Sequence, residues 1–131
     1  MATSGRCLCG AVTYEYDGAR RWSAYCHCES CRRTCSAPVA AFFGVGRGAF
    51  RWTGTAPAAY ASSPGVRRLF CGRCGTPMAY DADRDPRNIH LYAASLDDPS
   101  AFTPTAHVFA AERLSWFDLA DDLPRHEGAG G

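Results

Sequence analysis

The chain has 131 residues, which is enough for one domain with a modest core. Hydrophobic residues make up 47% of it and charged residues 21%, as in ordinary globular proteins. The net charge of +1, without a stripe of basic residues, argues against a nucleic-acid partner. No apolar run approaches the roughly 18 residues of a membrane span, and the first six residues are too short and polar for a secretory signal. We therefore expect a cytoplasmic protein with reduced thiols and no membrane partner.

Short strands separated by turn residues follow one another along the whole chain. Runs of β-branched and aromatic residues, bounded by glycine, proline and aspartate, predict strands rather than helices. The expected strands cover residues 11–16, 21–28, 36–45, 50–54, 58–62, 66–70, 76–80 and 88–96, with short extended pieces at 107–109 and 114–117. Asp98 and Pro99 could start one helical turn. The pattern predicts a single all-β domain over residues 1–125, with little helix, and a flexible glycine-rich tail at 126–131.

Two cysteine pairs that lie far apart in the sequence together offer four metal ligands. Cys7 and Cys9, spaced as C-x-C, precede the first expected strand, and Cys71 and Cys74, spaced as C-x2-C, lie at the tip of an expected hairpin. Such spacings are typical of tetrahedral zinc sites, in which four thiolates leave no open position. We expect a closed structural zinc site that contributes on the order of 10 kcal/mol to folding.

A second cluster, between these pairs, reads C-x-C-x2-C-x3-C from Cys26 to Cys35. Strand alternation directs Cys26 and Cys28 to the same side, and a tight turn can bring Cys31 back towards them. We expect three thiolates at one reactive centre, which holds zinc with an open position or only transiently. The alternatives are a second structural zinc, free thiols, or a secreted scaffold of four disulfides. The short Cys26–Cys28 spacing and the lack of a signal argue against disulfides.

The cysteine motifs belong to a longer pattern that extends over roughly residues 4 to 125. The pattern consists of Gly5-x-Cys7-x-Cys9-Gly10, then Cys26-His27-Cys28-x2-Cys31-Arg32-Arg33, then Arg67-Arg68-x-Phe70-Cys71-x2-Cys74-Gly75, followed by Leu96-Asp97-Asp98-Pro99, His107 and Trp116. In this order the motifs resemble the glutathione-dependent formaldehyde-activating enzyme family. The resemblance implies a β-tent fold of antiparallel sheets held by zinc. It also implies two metal sites, a structural zinc on Cys7, Cys9, Cys71 and Cys74 and a labile zinc on Cys26, Cys28 and Cys31.

The same resemblance implies an activity. It suggests a carbon–sulfur lyase that uses glutathione as co-substrate and forms S-hydroxymethylglutathione from formaldehyde or a related small aldehyde, with Cys26, Cys28 and Cys31 as the catalytic residues. Glutathione could instead form a mixed disulfide when zinc is absent. Two other functions stay open, a non-catalytic carrier of glutathione or its adducts and a zinc-stabilised interaction module. The sequence does not predict the oligomeric state.

Four arginines are candidates for binding the two carboxylates of glutathione, since a guanidinium group offers bidentate geometry. They are Arg32, Arg33, Arg67 and Arg68. Neighbouring residues of a strand point to opposite faces, so at most one of Arg67 and Arg68 should reach the site. The alternative for each of the four is a solvated charge or a structural ion pair.

One residue departs from the family's pattern. Cys35 stands where the family usually carries a glycine after the third cysteine of the inner cluster. It could be a small buried thiol, a fourth ligand that closes the inner site, or a redox partner of Cys31. A fourth ligand would remove the open position that catalysis needs.

The histidines and aromatic residues are expected to be mainly structural. His27 should point away from its flanking cysteines and be packed or hydrogen-bonded, whereas His107 could also orient a ligand or donate a proton. Phe42 and Phe43 could line a pocket. We expect the three tryptophans, Trp22, Trp52 and Trp116, to lie in the core.

Overall fold

The computed structural model describes residues 2–130 and consists mainly of short strands. Within that range there are ten strands: β1 (Thr3–Arg6), β2 (Thr13–Tyr16), β3 (Trp22–Cys26), β4 (Ala40–Gly46), β5 (Phe50–Trp52), β6 (Ala58–Ser63), β7 (Val66–Phe70), β8 (Pro77–Ala82), β9 (Asn88–Tyr92) and β10 (His107–Val108). One α-helix, α1 (Glu29–Cys35), follows β3. Single 3-10 turns occur at Arg47–Ala49, Ala93–Ser95, Pro99–Ala101 and Ala110–Glu112.

The strands form two sheets. The smaller sheet has the order β1-β2-β5, and the larger has the order β10-β3-β4-β9-β8-β7-β6. All pairs are antiparallel except β10, which runs parallel to β3. The predicted fold class, antiparallel sheets of short strands with little helix, is therefore confirmed.

The hydrophobic core lies between the sheets, and strand β4 separates it from a second cluster. Tyr16 of β2 packs against Phe43 of β4, with ring centroids 5.6 Å apart. Phe43 and Val45 are fully buried on this side. Phe42, on the opposite face of β4, packs instead in a cluster with Tyr92 and two cysteines, Cys26 and Cys31. Alternation along one strand therefore places the inner cysteines on the far side of the sheet from the main core.

A helix follows β3 where a tight turn was expected, and the expected strand over 21–28 is present as Trp22–Cys26. Strand β3 ends at Cys26, and Cys28 is the N-cap of α1. The backbone N–H of Cys31 donates to the Cys28 sulfur at 3.3 Å. Ser36, in the left-handed region with φ of 52°, ends the helix. Seven residues, two of them cysteines, are too few for a helical period to show in the sequence.

Several other boundaries and positions also differ from the predictions. Strand β1 was not expected, and 114–117 is not a strand. The expected strand over 88–96 ends at Tyr92. Trp22 and Trp52 are half-buried and pack against the hydrophobic clusters, but Trp116 is 72% exposed, so its assignment to the core is wrong.

The C-terminal segment runs along β10, at the edge of the larger sheet. The His107 carbonyl accepts from the His126 N–H at 2.9 Å, and the Phe109 N–H donates to the Gly128 carbonyl at 2.8 Å. Most of the expected flexible tail, 126–130, therefore lies against β10, while Gly131 is outside the described residues. No helix in the described chain is long and apolar enough to cross a membrane.

Candidate metal centres and the adjoining cavity

The outer cysteine pairs meet where the two sheets come together. Cys7 and Cys9 lie between β1 and β2, and Cys71 and Cys74 lie between β7 and β8. The four sulfurs are within 4.8 Å of one another. Cys7 and Cys9 are 3.6 Å apart and Cys9 and Cys71 are 3.8 Å apart. Tetrahedral zinc with bonds of about 2.3 Å requires a sulfur–sulfur spacing of about 3.8 Å, so the outer site fits zinc.

Hydrogen bonds at the outer site favour a thiolate at Cys74, whereas those among the four cysteines, with burial, raise the pKa of the Cys9 thiol to about 11. The Cys71 sulfur accepts from the backbone N–H groups of Arg73 and Cys74, both at 3.3 Å. Hydrogen bonding with Thr76, whose hydroxyl oxygen lies 3.2 Å from the Cys74 sulfur, lowers the pKa of that thiol to about 5. These contacts satisfy a negatively charged sulfur, which is the form that binds a metal.

The inner cysteines converge at the junction of β3 and α1. The sulfurs of Cys26, Cys28 and Cys31 are within 4.8 Å of one another, and Cys26 and Cys31 are 3.4 Å apart. Hydrogen bonds from Cys26, and then from Cys31, hold the pKa of the Cys28 thiol well below its ordinary value, and the charge of Arg68 lowers it further. Hydrogen bonding to Cys28 and burial raise the pKa of the Cys26 and Cys31 thiols, so it is the convergence of the three sulfurs that fits zinc, with three ligands instead of four.

The structure answers two questions that the sequence left open about the cysteines. All eight are free thiols, so it contains none of the disulfides of a secreted scaffold. Cys35 is not a member of the inner group, because its sulfur does not come within 4.8 Å of all three other sulfurs. Burial raises the pKa of Cys35, and a hydrogen bond with Tyr92 offsets part of that rise. This geometry matches a small, partly buried thiol and not a fourth ligand.

The inner cluster opens onto a cavity of about 860 Å³. Cys26, Cys28 and Cys31 contribute to its wall, so the sulfurs are not sealed in the core. Trp22, Phe42, Tyr80, Val108 and Phe109 supply the apolar part of the lining. Of the two phenylalanines expected at a pocket, Phe42 lines this cavity and Phe43 lies in the core.

Only one of the four candidate arginines lines the cavity. The Arg68 guanidinium group lies 3.8 Å from the Cys31 sulfur and 3.4 Å from the Tyr92 oxygen, and it covers the Tyr80 ring at 5.0 Å from the centroid. Within residues 2–130, Arg68 has no carboxylate partner at ion-pair distance. A half-buried cation beside a thiol cluster favours an anionic ligand.

The other three arginines are held in structural contacts. Arg67, on the opposite face of β7, pairs with Asp81 at 3.4 Å and with Asp83 at 3.0 Å, as strand alternation predicts for one member of the Arg67–Arg68 pair. Arg32 donates to the His27 carbonyl oxygen at 3.1 Å. Arg33 is 77% exposed and pairs with Glu29.

A further cationic residue of the cavity, Arg84, was not predicted. Its guanidinium group lies 5.6 Å from the Tyr80 centroid, at the exposed rim. In the sequence it is one charge in a polar loop between two aspartates, and nothing there signals a pocket. The pairing of β7 with β8 brings Tyr80 opposite Arg68 and so joins the two arginines at one ring.

The fold and these two thiol clusters define a small β protein with one metal-compatible site joining its sheets and another opening onto a cavity. Residues 2–112 match the model of the family described as glutathione-dependent formaldehyde-activating enzyme, and the chain belongs to that family.

Two relatives are informative. The chain is 33% identical over 90 residues to an uncharacterised lyase of Schizosaccharomyces pombe, an alignment that covers 67% of this chain and 65% of that protein. The chain thus spans somewhat less than two thirds of that relative's length. The crystal structure of a Rhodobacter sphaeroides protein matches with a TM-score of 0.62 and 22% identity, over 77% of this chain and 91% of the other. This second likeness concerns the fold alone.

Proposed function

We propose that this protein is a carbon–sulfur lyase. It would interconvert glutathione plus formaldehyde with S-hydroxymethylglutathione, or glutathione plus a related small aldehyde with the corresponding adduct. One observation carries the proposal: the sulfurs of Cys26, Cys28 and Cys31 converge at the wall of a cavity large enough for a tripeptide. Membership of the family and the name of the yeast relative support the same class of chemistry. Glutathione and reduced thiols coexist in the cytoplasm, where we expect the protein to act.

The two clusters would hold zinc in different ways. Cys7, Cys9, Cys71 and Cys74 supply four thiolates and would form a closed structural site. Cys26, Cys28 and Cys31 supply three, which leaves one of zinc's four positions for an incoming ligand. When bound there, zinc would supply a positive centre that keeps the glutathione sulfur deprotonated at neutral pH.

The reaction itself is balanced without any further reagent. The glutathione sulfur, having lost its proton, attacks the carbonyl carbon, and the carbon–sulfur bond forms. The carbonyl π electrons move to the oxygen, which takes up a proton. In the reverse direction the hydroxyl proton leaves, the carbonyl re-forms and the carbon–sulfur bond breaks.

We assign to Arg68 the stabilisation of negative charge in the site, both the charge that develops during the reaction and the charge that the bound ligand carries. Arg68 lies beside Cys31, is half-buried, and has Tyr92 and Tyr80 as neighbours, which fix the guanidinium group in place. A preorganised cation in a partly dry site stabilises charge more strongly than one in water. Arg84, at the rim, is placed to meet a carboxylate at the far end of a bound tripeptide.

The decisive test is the rate of adduct formation and breakdown, measured by NMR exchange spectroscopy against the uncatalysed background. We expect the wild type to exceed the background and Cys28→Ser to fall back to it. Cys35→Ser is the matched control, because Cys35 lies outside the cluster, and it should retain the wild-type rate. A Cys28→Ser variant as fast as the wild type would overturn the proposal.

A second pair of variants tests Arg68. Arg68→Gln should raise KM for glutathione or lower kcat at least tenfold, which corresponds to about 1.4 kcal/mol of lost transition-state stabilisation. Arg33→Gln, which removes an exposed charge, should change neither constant. Equal effects in both variants would mean that the contribution of Arg68 is merely its net charge.

Binding measurements separate the lyase from its rivals. Glutathione should raise the melting temperature of the zinc-loaded protein. Stabilisation without any rate above background would identify a carrier, and the absence of stabilisation would identify an interaction module.

A further inference from the structure

Two buried histidines and a partly exposed aspartate form a network on the side of β3 that faces away from the cavity. The His27 Nε2 lies 2.8 Å from the His107 Nδ1, and the His107 Nε2 lies 3.0 Å from a carboxylate oxygen of Asp121. Both histidines are 1% exposed, and their rings stack with centroids 5.0 Å apart. We call His27, His107 and Asp121 the histidine network.

The hydrogen bonds of the network determine which nitrogens carry protons. A carboxylate only accepts, so the His107 Nε2–H must donate to Asp121. The Nδ1 of His27 is buried and has no hydrogen-bond partner. A proton on that atom would be a buried donor without an acceptor, which proteins avoid more strictly than a bare acceptor. The proton of His27 therefore belongs on Nε2, from which it donates to the His107 Nδ1.

The residue fixed in this way is the link between two of the inner cysteines. His27 lies between Cys26, the last residue of β3, and Cys28, the N-cap of α1. Its backbone N–H donates to the Val108 carbonyl at 3.1 Å, and its carbonyl accepts from Arg32 at 3.1 Å. The network adds a third attachment through the side chain. Two of the three attachments lead to β10, the short parallel strand that carries His107 and Val108.

We propose that the histidine network positions the inner cysteine cluster: Asp121 fixes the tautomer of His107, His107 fixes the ring of His27, and this holds Cys26 and Cys28 at the spacing at which they meet Cys31. These three residues touch neither the cavity nor the sulfurs and act as positioning residues. The inference rests on the metal-binding part of the proposed function and is independent of the lyase chemistry.

The first measurement uses the wild-type protein. Two-dimensional NMR of uniformly 15N-labelled protein reports the tautomer of each histidine from its ring nitrogen shifts. We expect His27 and His107 both to carry the proton on Nε2, with the Nδ1 of His27 unprotonated. A proton on the Nδ1 of His27 would overturn the proposal.

The second measurement compares three variants by competition for zinc with a chromophoric chelator. Asp121→Leu removes the hydrogen-bond acceptor of His107. We expect zinc affinity at the inner site to fall 10–100-fold, as is usual when residues that hold the metal ligands in position are removed. Asp121→Asn can still present an oxygen to His107 and should stay within a few-fold of the wild type. Asp118→Leu is the control: Asp118 is 69% exposed on the same segment and shares the partner Arg125 with Asp121, so this variant removes a neighbouring charge but leaves the hydrogen bond from His107 to Asp121 in place.

The outer site serves as an internal reference. Mass spectrometry after thiol alkylation shows which cysteines a lost zinc has exposed, and the inner three should react in Asp121→Leu while Cys7 and Cys71 stay protected. If both sites weaken in parallel, the network is only structural and the proposal is wrong. If Asp121→Leu does not fold, the wild-type tautomers and the zinc affinity of Asp121→Asn test the proposal. If the wild type holds a single zinc, the metal part of the proposed function fails, and the tautomers and the alkylation rate of Cys28 still test the positioning.

Discussion

Strand β4 contains a glycine whose replacement by alanine should reshape the cavity wall. Gly44 is the cross-strand partner of Trp22, and the indole lies over the glycine where a side chain would stand. A Cβ added at Gly44 would lie 2.7 Å from Cε2 and 2.9 Å from Cδ1 of Trp22, and closer still to Nε1. The indole ring would have to move by roughly 1 Å to restore normal van der Waals contact. Trp22 is, however, also packed edge-on against His90, with ring centroids 4.7 Å apart.

The magnitude follows from two opposing contributions. Overpacking of this kind costs about 1–3 kcal/mol, and replacing glycine with alanine regains about 0.4–1 kcal/mol from the unfolded chain. We expect Gly44→Ala to lower the free energy of unfolding by about 1–2 kcal/mol, or to lower Tm by about 4–8 °C. Because Trp22 lines the cavity, Kd for glutathione should also change.

Thermal unfolding of the zinc-loaded protein, followed by circular dichroism, measures the effect. Gly46→Ala is the matched control on the same face of β4. Its added Cβ would lie 3.0 Å from the Arg21 Nη2, the end of a flexible side chain that can move away. We expect Gly46→Ala to melt within about 2 °C of the wild type. A Gly44→Ala protein as stable as the wild type, or an equal loss in Gly46→Ala, would show that Trp22 does not restrict this position.

Three further predictions concern the metal site, the core and pH. Cys71→Ser should remove one zinc per chain in native mass spectrometry and destabilise the fold by several kcal/mol, since the outer site joins the two sheets; an unchanged zinc count and Tm would contradict this. Leu91→Ala should cost about 2–5 kcal/mol in chemical denaturation, because Leu91 is fully buried between the sheets, and a loss below about 1 kcal/mol would mean that the core collapses around the gap. Arg47 and Arg67 outweigh burial and hold the pKa of Asp81 below its ordinary value of 3.8. The stability contributed by Asp81 is therefore present above that value and lost as pH falls through the lower folded-state pKa, so the difference in stability between the wild type and Asp81→Asn should shrink below about pH 4. A difference that is constant from pH 7 to pH 3 would refute this assignment.

Local features of the sequence predicted the hairpin that carries half of the outer site. Residues 66–70 form β7 as predicted, because a turn at Ser63-Pro64-Gly65 precedes an alternating run of strand-forming residues. The Cys71–Cys74 turn follows, with Gly75 at a φ of 84°. Cysteine spacing also grouped the seven clustered thiols correctly into a set of four and a set of three. Short spacings between cysteines restrict the relative positions of their sulfurs independently of the rest of the fold.

Features that depend on distant residues could not be predicted in the same way. Helix α1 is too short to show a period, and it exists because Cys28 caps it and Cys31 packs against β4. The sequence could not decide which of Arg67 and Arg68 reaches the cavity, because that depends on which face of β7 meets the cavity. Arg84 joined the site only through the pairing of β7 and β8.

The sequence alone determined the class of the fold, the two sets of cysteines and, through the family pattern, the kind of chemistry to test. These depend on spacing and alternation, which are properties of neighbouring residues. Only the tertiary structure decided that the inner cluster opens onto a cavity, that Cys35 stands apart from it, and that His27 reaches Asp121 through His107. The contact between His27 and His107 joins residues 80 positions apart, and it exists because the packing of β10 against β3 brings the two segments together.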